Sequence, residues 1–231
     1  MKSILTTLLQ SKYTSGTDSK GGPAPEVYSI GPYERPGSFK NPGPNDNPGG
    51  IPSETEVYGT NGADDIDHEG VNIAQEIYSF DGDDTIGAGS NDDTIFSGLG
   101  DDTIMAWAGD DLAVGGEGDD FIDGNAGNDT IHAGEGADQI FGGSDDDLIF
   151  LVDDGDEDII YFSQGHGNDV VDNFEQGVDK MALGGYGFSS FDDIDDMITY
   201  SGDQAMLDLG GGDSIIFTKL DGPLDASDFI F

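Results

Sequence analysis

One feature restricts the fold of this chain more than any other: an aspartate and an apolar residue, two positions apart, recur every nine residues from position 84 to position 149. The apolar residues are Ile86, Ile95, Ile104, Ala113, Ile122, Ile131, Ile140 and Ile149. The aspartates are Asp84, Asp93, Asp102, Asp111, Asp120, Asp129, Asp138 and Asp147. A short period of constant length predicts a stack of like repeats, each contacting only its neighbours.

The residue two positions before each aspartate is glycine in six of the eight repeats and is Asn91 or Asp145 in the others. Asparagine and aspartate tolerate a left-handed backbone better than other residues with a side chain. We therefore predict a positive φ at this position throughout. Each unit is predicted to consist of a six-residue turn and a three-residue strand whose central apolar residue points inward.

Two units make one coil of eighteen residues, so successive strands are expected on alternating sides of the stack. One side then carries Asp84, Asp102, Asp120 and Asp138, and the other carries Asp93, Asp111, Asp129 and Asp147. Stacked strands lie about 4.7–4.9 Å apart, so carboxylates at that spacing repel unless a cation separates them. Carboxylate and carbonyl oxygens in a flexible loop are ligands that Ca²⁺ prefers.

The composition supports a cation ligand and argues against several other functions. The chain has 49 acidic and 7 basic residues, a net charge of −42, and no cysteine. Such a charge disfavours binding to nucleic acid or anionic lipid, and the lack of cysteine excludes disulfides and thiolate metal sites. No apolar run is long enough to span a membrane. We found no G-x-S-x-G motif or other catalytic constellation, so the chain is predicted not to be an enzyme.

The repeats resemble the RTX (repeats-in-toxin) calcium-binding nonapeptide, G-G-x-G-x-D-x-apolar-x. The resemblance covers about residues 57–231. It implies an all-β fold: a calcium-bound parallel β-roll, which is a right-handed β-helix of nonapeptide repeats, with a small β-rich cap at the C-terminus. In this family each ion takes the aspartate and two backbone carbonyls from each of two stacked turns.

Carried onto this chain, the resemblance implies about six calcium ions and one ligand set for each. The sets are Phe80, Gly82, Asp84 with Ser97, Leu99, Asp102; Gly89, Asn91, Asp93 with Ala106, Ala108, Asp111; Gly98, Gly100, Asp102 with Gly115, Glu117, Asp120; Trp107, Gly109, Asp111 with Gly124, Ala126, Asp129; Gly116, Gly118, Asp120 with Ala133, Glu135, Asp138; and Asn125, Gly127, Asp129 with Gly142, Ser144, Asp147. Asp64, in an outlying copy at residues 59–67, is a further candidate. The neighbouring acids are expected to be solvated: Asp83, Asp92, Asp101, Asp110, Asp119 and Asp146.

Three regions follow from this interpretation. Residues 1–55 form a Pro/Gly-rich extension, residues 56–173 the roll, and residues 174–231 the C-terminal cap. Within the cap we expect a short helix after Ser190 and two strands on either side of the turn at residues 210–213. The terminal residues Asp228–Phe231 resemble an uncleaved type I secretion signal, which implies a secreted, extracellular protein that uses the type I secretion machinery.

One side of the roll is expected to present a mostly apolar outward face. Its residues are Thr94, Phe96, Leu112, Val114, Thr130, His132, Leu148 and Phe150. Such a face is either covered by another segment of the chain or binds an extracellular protein partner.

Calcium-driven folding after export is therefore the predicted function, in an extracellular interaction or surface protein. One alternative is a small toxin or bacteriocin whose active part is residues 1–55. Deleting these residues would then abolish activity and leave calcium-driven folding intact. Another alternative is the secretion module of a lost enzyme, which is the least favoured because the chain begins at Met1.

Overall fold

The computed structural model describes residues 56–68 and 70–231. The extension predicted over residues 1–55 lies outside the described residues.

Short strands dominate the described part of the chain. They are β1 Glu56–Tyr58, β2 Asp65–Asp67, β3 Glu76–Asp81, β4 Thr85–Gly89, β5 Thr94–Leu99, β6 Thr103–Trp107, β7 Leu112–Glu117, β8 Phe121–Asp123, β9 Thr130–Glu135, β10 Gln139–Phe141, β11 Leu148–Phe150, β12 Ile159–Ser163, β13 Asn168–Asp172, β14 Lys180–Gly184, β15 Ile198–Tyr200, β16 Ala205–Gly210, β17 Asp213–Thr218 and β18 Phe229–Ile230. Three short 3-10 helices cover Phe191–Asp193, Asp195–Met197 and Ala226–Asp228.

The strands form two sheets, and strands that follow one another along the roll lie in different sheets. The first sheet has the order β1-β3-β5-β7-β9-β11-β13-β17-β16-β15, and the second has β18-β14-β12-β10-β8-β6-β4-β2. Neighbours from β1 to β13 pair in parallel within each sheet. The chain is thus an all-β, parallel β-roll of about seven coils, as the nine-residue period predicted.

The core between the sheets is built from the apolar residue of each repeat. In the first sheet Ile95 pairs with Ala113 and Ala113 with Ile131, so the side chains lie above one another. The repeat isoleucines from Ile86 to Ile149 are 0% exposed. This confirms that the centre of each strand points inward. Burial of a whole isoleucine side chain stabilises the fold by about 1.5–3 kcal/mol.

The strands are longer than predicted in part of the roll. β5, β7 and β9 have six residues each, because residues predicted to lie in turns also pair across coils. Gly98 pairs with Gly116 and Gly116 with Gly134. The turns are therefore part of the hydrogen-bonded stack, and the spacing between coils holds at the aspartates as well as in the core.

The close stacking of the turns depends on glycine. Gly116 has a φ of 131°, and a methyl group at this position would lie 2.0 Å from the carbonyl oxygen of Gly98. The same left-handed backbone occurs at Phe80, Trp107 and Asn125, which stand where the repeat motif has glycine. The backbone conformation of the turn is thus retained without glycine at these three positions.

The prediction of a positive φ two residues before every aspartate is correct at Asp145, with a φ of 79°, and wrong at Asn91. Asn91 is not among the residues with a positive φ. Its side-chain amide donates to Asn72 Oδ1 at 3.1 Å. The turn that contains Asn91 stacks on an irregular coil that contains Asn72. On this side of the roll the regular turn geometry therefore begins at the next turn, where Gly109 has a positive φ.

The C-terminal region is β-rich, as predicted, and extends both sheets. β17 pairs in parallel with β13, and β18 pairs in parallel with β14. β16 and β17 are the two strands predicted on either side of the turn at residues 210–213, and they pair in antiparallel fashion. The predicted helix after Ser190 consists of two 3-10 helices, the first with a capping box between Ser190 and Asp193. None of the described helices is long and apolar enough to cross a membrane.

Candidate metal centre

Each repeat aspartate lies just before a strand, two residues before the inward apolar residue, which is isoleucine in seven repeats and Ala113 in the other. Side chains alternate between the two faces of a strand, so the aspartate points to the same side as the apolar residue, toward the interior. The eight repeat aspartates are 0–3% exposed. Those that precede strands of the first sheet, Asp93, Asp111, Asp129 and Asp147, form the first column. Those that precede strands of the second sheet, Asp84, Asp102, Asp120 and Asp138, form the second column. The predicted division into two sides is confirmed.

One oxygen of each carboxylate is held by the neighbouring coil. The backbone N–H of Asp102 donates to Asp120 Oδ1 at 2.8 Å, and the N–H of Asp120 donates to Asp138 Oδ1 at 2.8 Å. The first column repeats this arrangement, for example from Asp111 N–H to Asp129 Oδ1 at 2.8 Å. These bonds fix the orientation of every carboxylate relative to the next.

The other oxygen of each carboxylate has no hydrogen-bond partner. This holds for the buried Oδ2 of all eight repeat aspartates. An unpaired buried acceptor costs about 1–3 kcal/mol, and more when it is charged. Eight such atoms in two regular columns indicate that a positively charged group is required between the coils.

Backbone carbonyls line the same gaps from the preceding turn. In the gap between the Asp120 and Asp138 turns, a methyl group on Gly134 would lie 2.1 Å from Gly116 O, and one on Gly136 would lie 2.3 Å from Gly118 O. These two carbonyls therefore point forward, toward the next coil.

Carbonyls of the following turn point back. A methyl group on Gly115 would lie 2.2 Å from Ala133 O and 2.3 Å from Asp120 Oδ2. Glu135 O accepts the N–H of Gly118 at 2.8 Å. Carbonyl oxygens from both coils and the carboxylates thus surround one gap.

This set of donors fits calcium. The predicted set for the gap comprises Gly116, Gly118 and Asp120 from one turn and Ala133, Glu135 and Asp138 from the next. All are oxygen donors, which Ca²⁺ accepts in sites of six to eight ligands. In the described residues, no group of three or more His, Asp or Glu side chains converges as a metal site would require. A site made largely of backbone carbonyls would not produce such a group.

Burial changes the acidity of the carboxylates in the absence of bound metal. Desolvation is the largest cause, and hydrogen bonds from backbone N–H groups oppose it. The pKa is raised to about 6 for Asp93 and Asp102 and to about 8 for Asp138. For the three aspartates between them the pKa is raised to about 7: Asp111, Asp120 and Asp129. An ion-free roll at neutral pH must therefore bury charge or take up protons.

The neighbouring acids form an outer ladder that the sequence did not predict. Asp101 Oδ1 accepts the N–H of Asp119 at 3.0 Å, and Asp119 Oδ1 accepts the N–H of Ala137 at 3.0 Å. Asp101 and Asp119 are exposed to solvent, as expected. Each also links its turn to the next coil, in the direction opposite to the buried aspartates.

Asp64 joins the second column in a different way. Its N–H donates to Asp84 Oδ1 at 2.7 Å. Its own carboxylate accepts the backbone N–H of Thr60 at 2.5 Å and also the Thr60 hydroxyl. Unlike the repeat aspartates, Asp64 has hydrogen-bond donors from its own turn on its Oδ2.

Three further aspartates continue the columns beyond the regular repeats. Asp158 and Asp179 extend the second column, and Asp169 extends the first. They follow their predecessors after 20, 21 and 22 residues, respectively, instead of eighteen. Because the longer turns shift the period, a search for nine-residue spacing misses Asp158 and Asp179, whereas Asp169 and Val171 are recognisable in a degenerate copy of the motif, GHGNDVVD. The sequence feature that could still locate such residues is an aspartate two positions before an inward apolar residue.

These features define a class of protein: a parallel β-roll whose turns carry two columns of buried aspartates. Residues 78–113 and 114–149 each match the family model of the RTX calcium-binding nonapeptide repeat, which contains four copies. Residues 78–149 thus match RTX calcium-binding nonapeptide repeats.

Two of the solved structures that are similar to parts of this chain are a lipase and an epimerase subunit. The extracellular lipase LipA from Serratia marcescens aligns at 19% identity and a TM-score of 0.43, over 78% of this chain. This chain spans 40% of the lipase. The AlgE6R3 subunit of the mannuronan C5-epimerase from Azotobacter vinelandii aligns at 22% identity and a TM-score of 0.38, over 62% of this chain and 79% of the subunit. No curated protein matches the sequence.

The raised pKa values predict how the ion-free protein responds to pH. In the folded state the pKa of Asp120 is about 7, above the value of about 3.9 for an unfolded chain. The neutral acid is therefore favoured by folding, and this contribution falls as the pH rises above about 4 and is lost once the pH exceeds the folded values of about 6 to 8. Far-UV circular dichroism in calcium-free buffer should show more strand at pH 5 than at pH 8.

Saturating calcium should reverse this trend, because carboxylates must lose their protons to bind a metal. An ion-free protein whose strand content is equal at the two pH values, or rises with pH, would contradict the assignment of these carboxylates.

Proposed function

We propose that this chain is a secreted calcium-binding protein whose roll folds when calcium becomes available outside the cell. The observation that carries this proposal is the row of eight buried Oδ2 atoms with no hydrogen-bond donor. Calcium, when bound, supplies the positive charge that these oxygens lack. The chain itself contributes oriented carboxylates and the carbonyl oxygens of the turns.

The proposed ion count is six, three in each column. Four aspartates in a column have three gaps between them. The gaps of the second column are Asp84–Asp102, Asp102–Asp120 and Asp120–Asp138, and those of the first are Asp93–Asp111, Asp111–Asp129 and Asp129–Asp147. Each aspartate inside a column would then serve two ions, which makes binding cooperative along the stack.

The charge of the chain supports coupling between binding and folding. Residues 80–150 contain 19 acidic residues and no lysine or arginine. Without counter-ions, stacking the coils would bring these charges together in a poorly solvated interior. Affinities of extracellular calcium modules are on the order of 10⁻⁴–10⁻³ M, so the roll would stay unfolded in the cytosol and fold outside.

The position of the C-terminus supports export of an unfolded chain. Asp228 is 1% exposed, and its carboxylate accepts the N–H groups of Gly177 and Asp225, each at 2.7 Å. Phe229 is 7% exposed and pairs with Met181. A type I signal at Asp228–Phe231 would be fully accessible before the roll folds, whereas afterwards Asp228 and Phe229 are buried and only Ile230 and Phe231 remain exposed.

The outward face of the first sheet supports binding of an extracellular protein. Its eight residues are half-buried and lie in two columns across the strands. The ring of Tyr78 stacks on Phe96 at 5.2 Å, and that of His132 stacks on Phe150 at 4.5 Å. Tyr58 stacks on Tyr78 at 5.5 Å and lengthens the face beyond its predicted start. A rigid aromatic surface of this kind can bind a partner with little loss of side-chain entropy.

We propose no catalytic role for the chain. The buried aspartates of the described coils either lie in the two columns or accept hydrogen bonds from backbone groups at the ends of the columns. Asp179, for example, accepts the N–H groups of Asp158 and Glu175.

A calcium titration of the full chain tests the main proposal. Calorimetry should give about six ions per chain, and circular dichroism at neutral pH should show strand only when calcium is present. Asp120→Asn removes a ligand shared by two gaps, so it should lower the ion count. It should also raise the calcium concentration at the midpoint of folding by about tenfold.

Asp119→Asn is the matched control, because it removes the same charge at the adjacent exposed position. It should keep the ion count of the unchanged protein. Full strand content in chelator at neutral pH, or an equal loss of ions in both variants, would overturn the proposal.

Export is tested in a bacterial host that carries a type I secretion system. The full chain should appear in the medium, and a variant truncated before Asp225 should stay in the cells. Because the roll is unfolded in the calcium-poor cytosol, retention reports loss of the signal and not of the fold. The Asp119→Asn variant should be exported normally. Normal export of the truncated variant would exclude a C-terminal signal.

The partner-binding face is tested by adding the calcium-loaded protein to the surface fraction of the producing cells. Phe96→Ser should reduce the bound amount by about tenfold if the aromatic surface forms the centre of the interface. Phe141→Ser is the control, because Phe141 stacks on Tyr161 in the second sheet at 4.4 Å. Equal binding by both variants would refute a role for this face.

A further inference from the structure

The first column ends at its C-terminal side in an unusual contact. Asp169, the next aspartate after Asp147, accepts the N–H of Asp147 on its Oδ1 at 2.9 Å, as in the regular coils. Its Oδ2 lies 2.5 Å from Nδ1 of His166. Both side chains are buried, with His166 2% and Asp169 0% exposed. Asp169 thus has a donor on the oxygen that lacks one in all eight repeat aspartates.

The sequence position of His166 explains how an imidazole reaches this place. It stands three residues before the column aspartate, where the preceding coils of the first column have only small residues. Those residues are Ser90, Ala108, Ala126 and Ser144, all half-buried or exposed. His166 instead turns its side chain inward, beside the ring of Phe162 at 4.9 Å.

The carbonyl lining of a regular gap is only partly repeated here. A methyl group on Gly167 would lie 2.3 Å from Asp145 O, as in the regular turns. At Gly165, however, a methyl group would meet nothing within 4 Å, whereas at the equivalent Gly143 it would lie 2.1 Å from Asn125 O. The turn around Gly165 has therefore moved away from the preceding coil.

Asp213 holds this displaced turn in place. Its Oδ2 accepts the N–H of Gly165 at 2.9 Å and the hydroxyl of Tyr186 at 2.8 Å, and its Oδ1 accepts the N–H of Gly167 at 3.4 Å. Side chains from the C-terminal region thus organise a turn that in the regular coils would help to enclose an ion.

We propose that the His166 side chain takes the place of a calcium ion between Asp147 and Asp169, so that the ion-binding part of the first column ends at Asp147. This inference rests on the proposed calcium function. The opposite end of the column has no carboxylate, because Gln75 occupies the aspartate position and its N–H donates to Asp93 Oδ1 at 2.7 Å. The chain itself therefore limits the first column to three ions.

Two isosteric variants of the full chain test this assignment. Asp169→Asn should bind as many calcium ions as the unchanged protein, because Asp169 is bonded to His166 and not to an ion. Asp147→Asn should bind at least one ion fewer, because Asp147 completes the last gap of the column. Loss of an ion in Asp169→Asn would overturn the inference.

Crystals of the unchanged protein, grown in calcium, provide a test that does not depend on the folding of a variant. Anomalous scattering should place an ion between Asp129 and Asp147 and none between Asp147 and Asp169, where His166 should remain on Asp169. An ion in the second gap would refute the role of His166. Ions in neither gap, together with no calcium binding in solution, would refute the calcium function itself.

Discussion

The main constraint on this structure is the mutual repulsion of aspartates that are stacked, buried and fixed in orientation. A parallel roll repeats each turn directly above the last, so one carboxylate per turn becomes a column of like charges. Hydrogen bonds from the backbone satisfy only one oxygen of each, and the other oxygen remains without a donor. Buried like charges are costly in any medium of low polarity. The same geometry that makes the core regular therefore makes the ion-free roll unfavourable at neutral pH.

The two ladders of acids have different roles because their surroundings differ. The buried aspartates face the gaps between coils, and burial raises the pKa of Asp120 to about 7. The outer acids, such as Asp119, face water and bond the next coil through a backbone N–H. In six of the eight turns, two adjacent aspartates thus hold the coils together from both directions, but only the inner one is buried with an oxygen that lacks a hydrogen-bond donor. The outer acids also increase the negative potential that attracts cations to the turns.

The ends of a repeating column need a different chemistry from its middle. In the middle, every turn finds the same partner above and below. At the ends, the chain uses neutral or donor side chains: Thr60 bonds Asp64, Gln75 replaces an aspartate, and His166 bonds Asp169. The C-terminal strands then continue both sheets with ordinary hydrogen-bonded pairs. A periodic segment with buried aspartate columns is in this way joined to a conventional one without a break in the sheets.

The repeat, the division of the aspartates into two columns, the inward isoleucines and the class of metal ligand can all be predicted from the amino-acid sequence. These follow from a constant period, since identical spacing forces identical placement in a stack. Other features depend on contacts between coils and are visible only in the folded structure. The places of Asp158, Asp169 and Asp179 in the columns, the negative φ of Asn91, the outer ladder and the inward turn of His166 depend on which coil lies next to each residue. The longer turns place Asp158, Asp179 and Asp169 20, 21 and 22 residues after their partners, and the outer ladder joins residues eighteen apart in adjacent coils. Local sequence patterns specify neither which residue lies above which nor whether a side chain such as that of His166 turns inward.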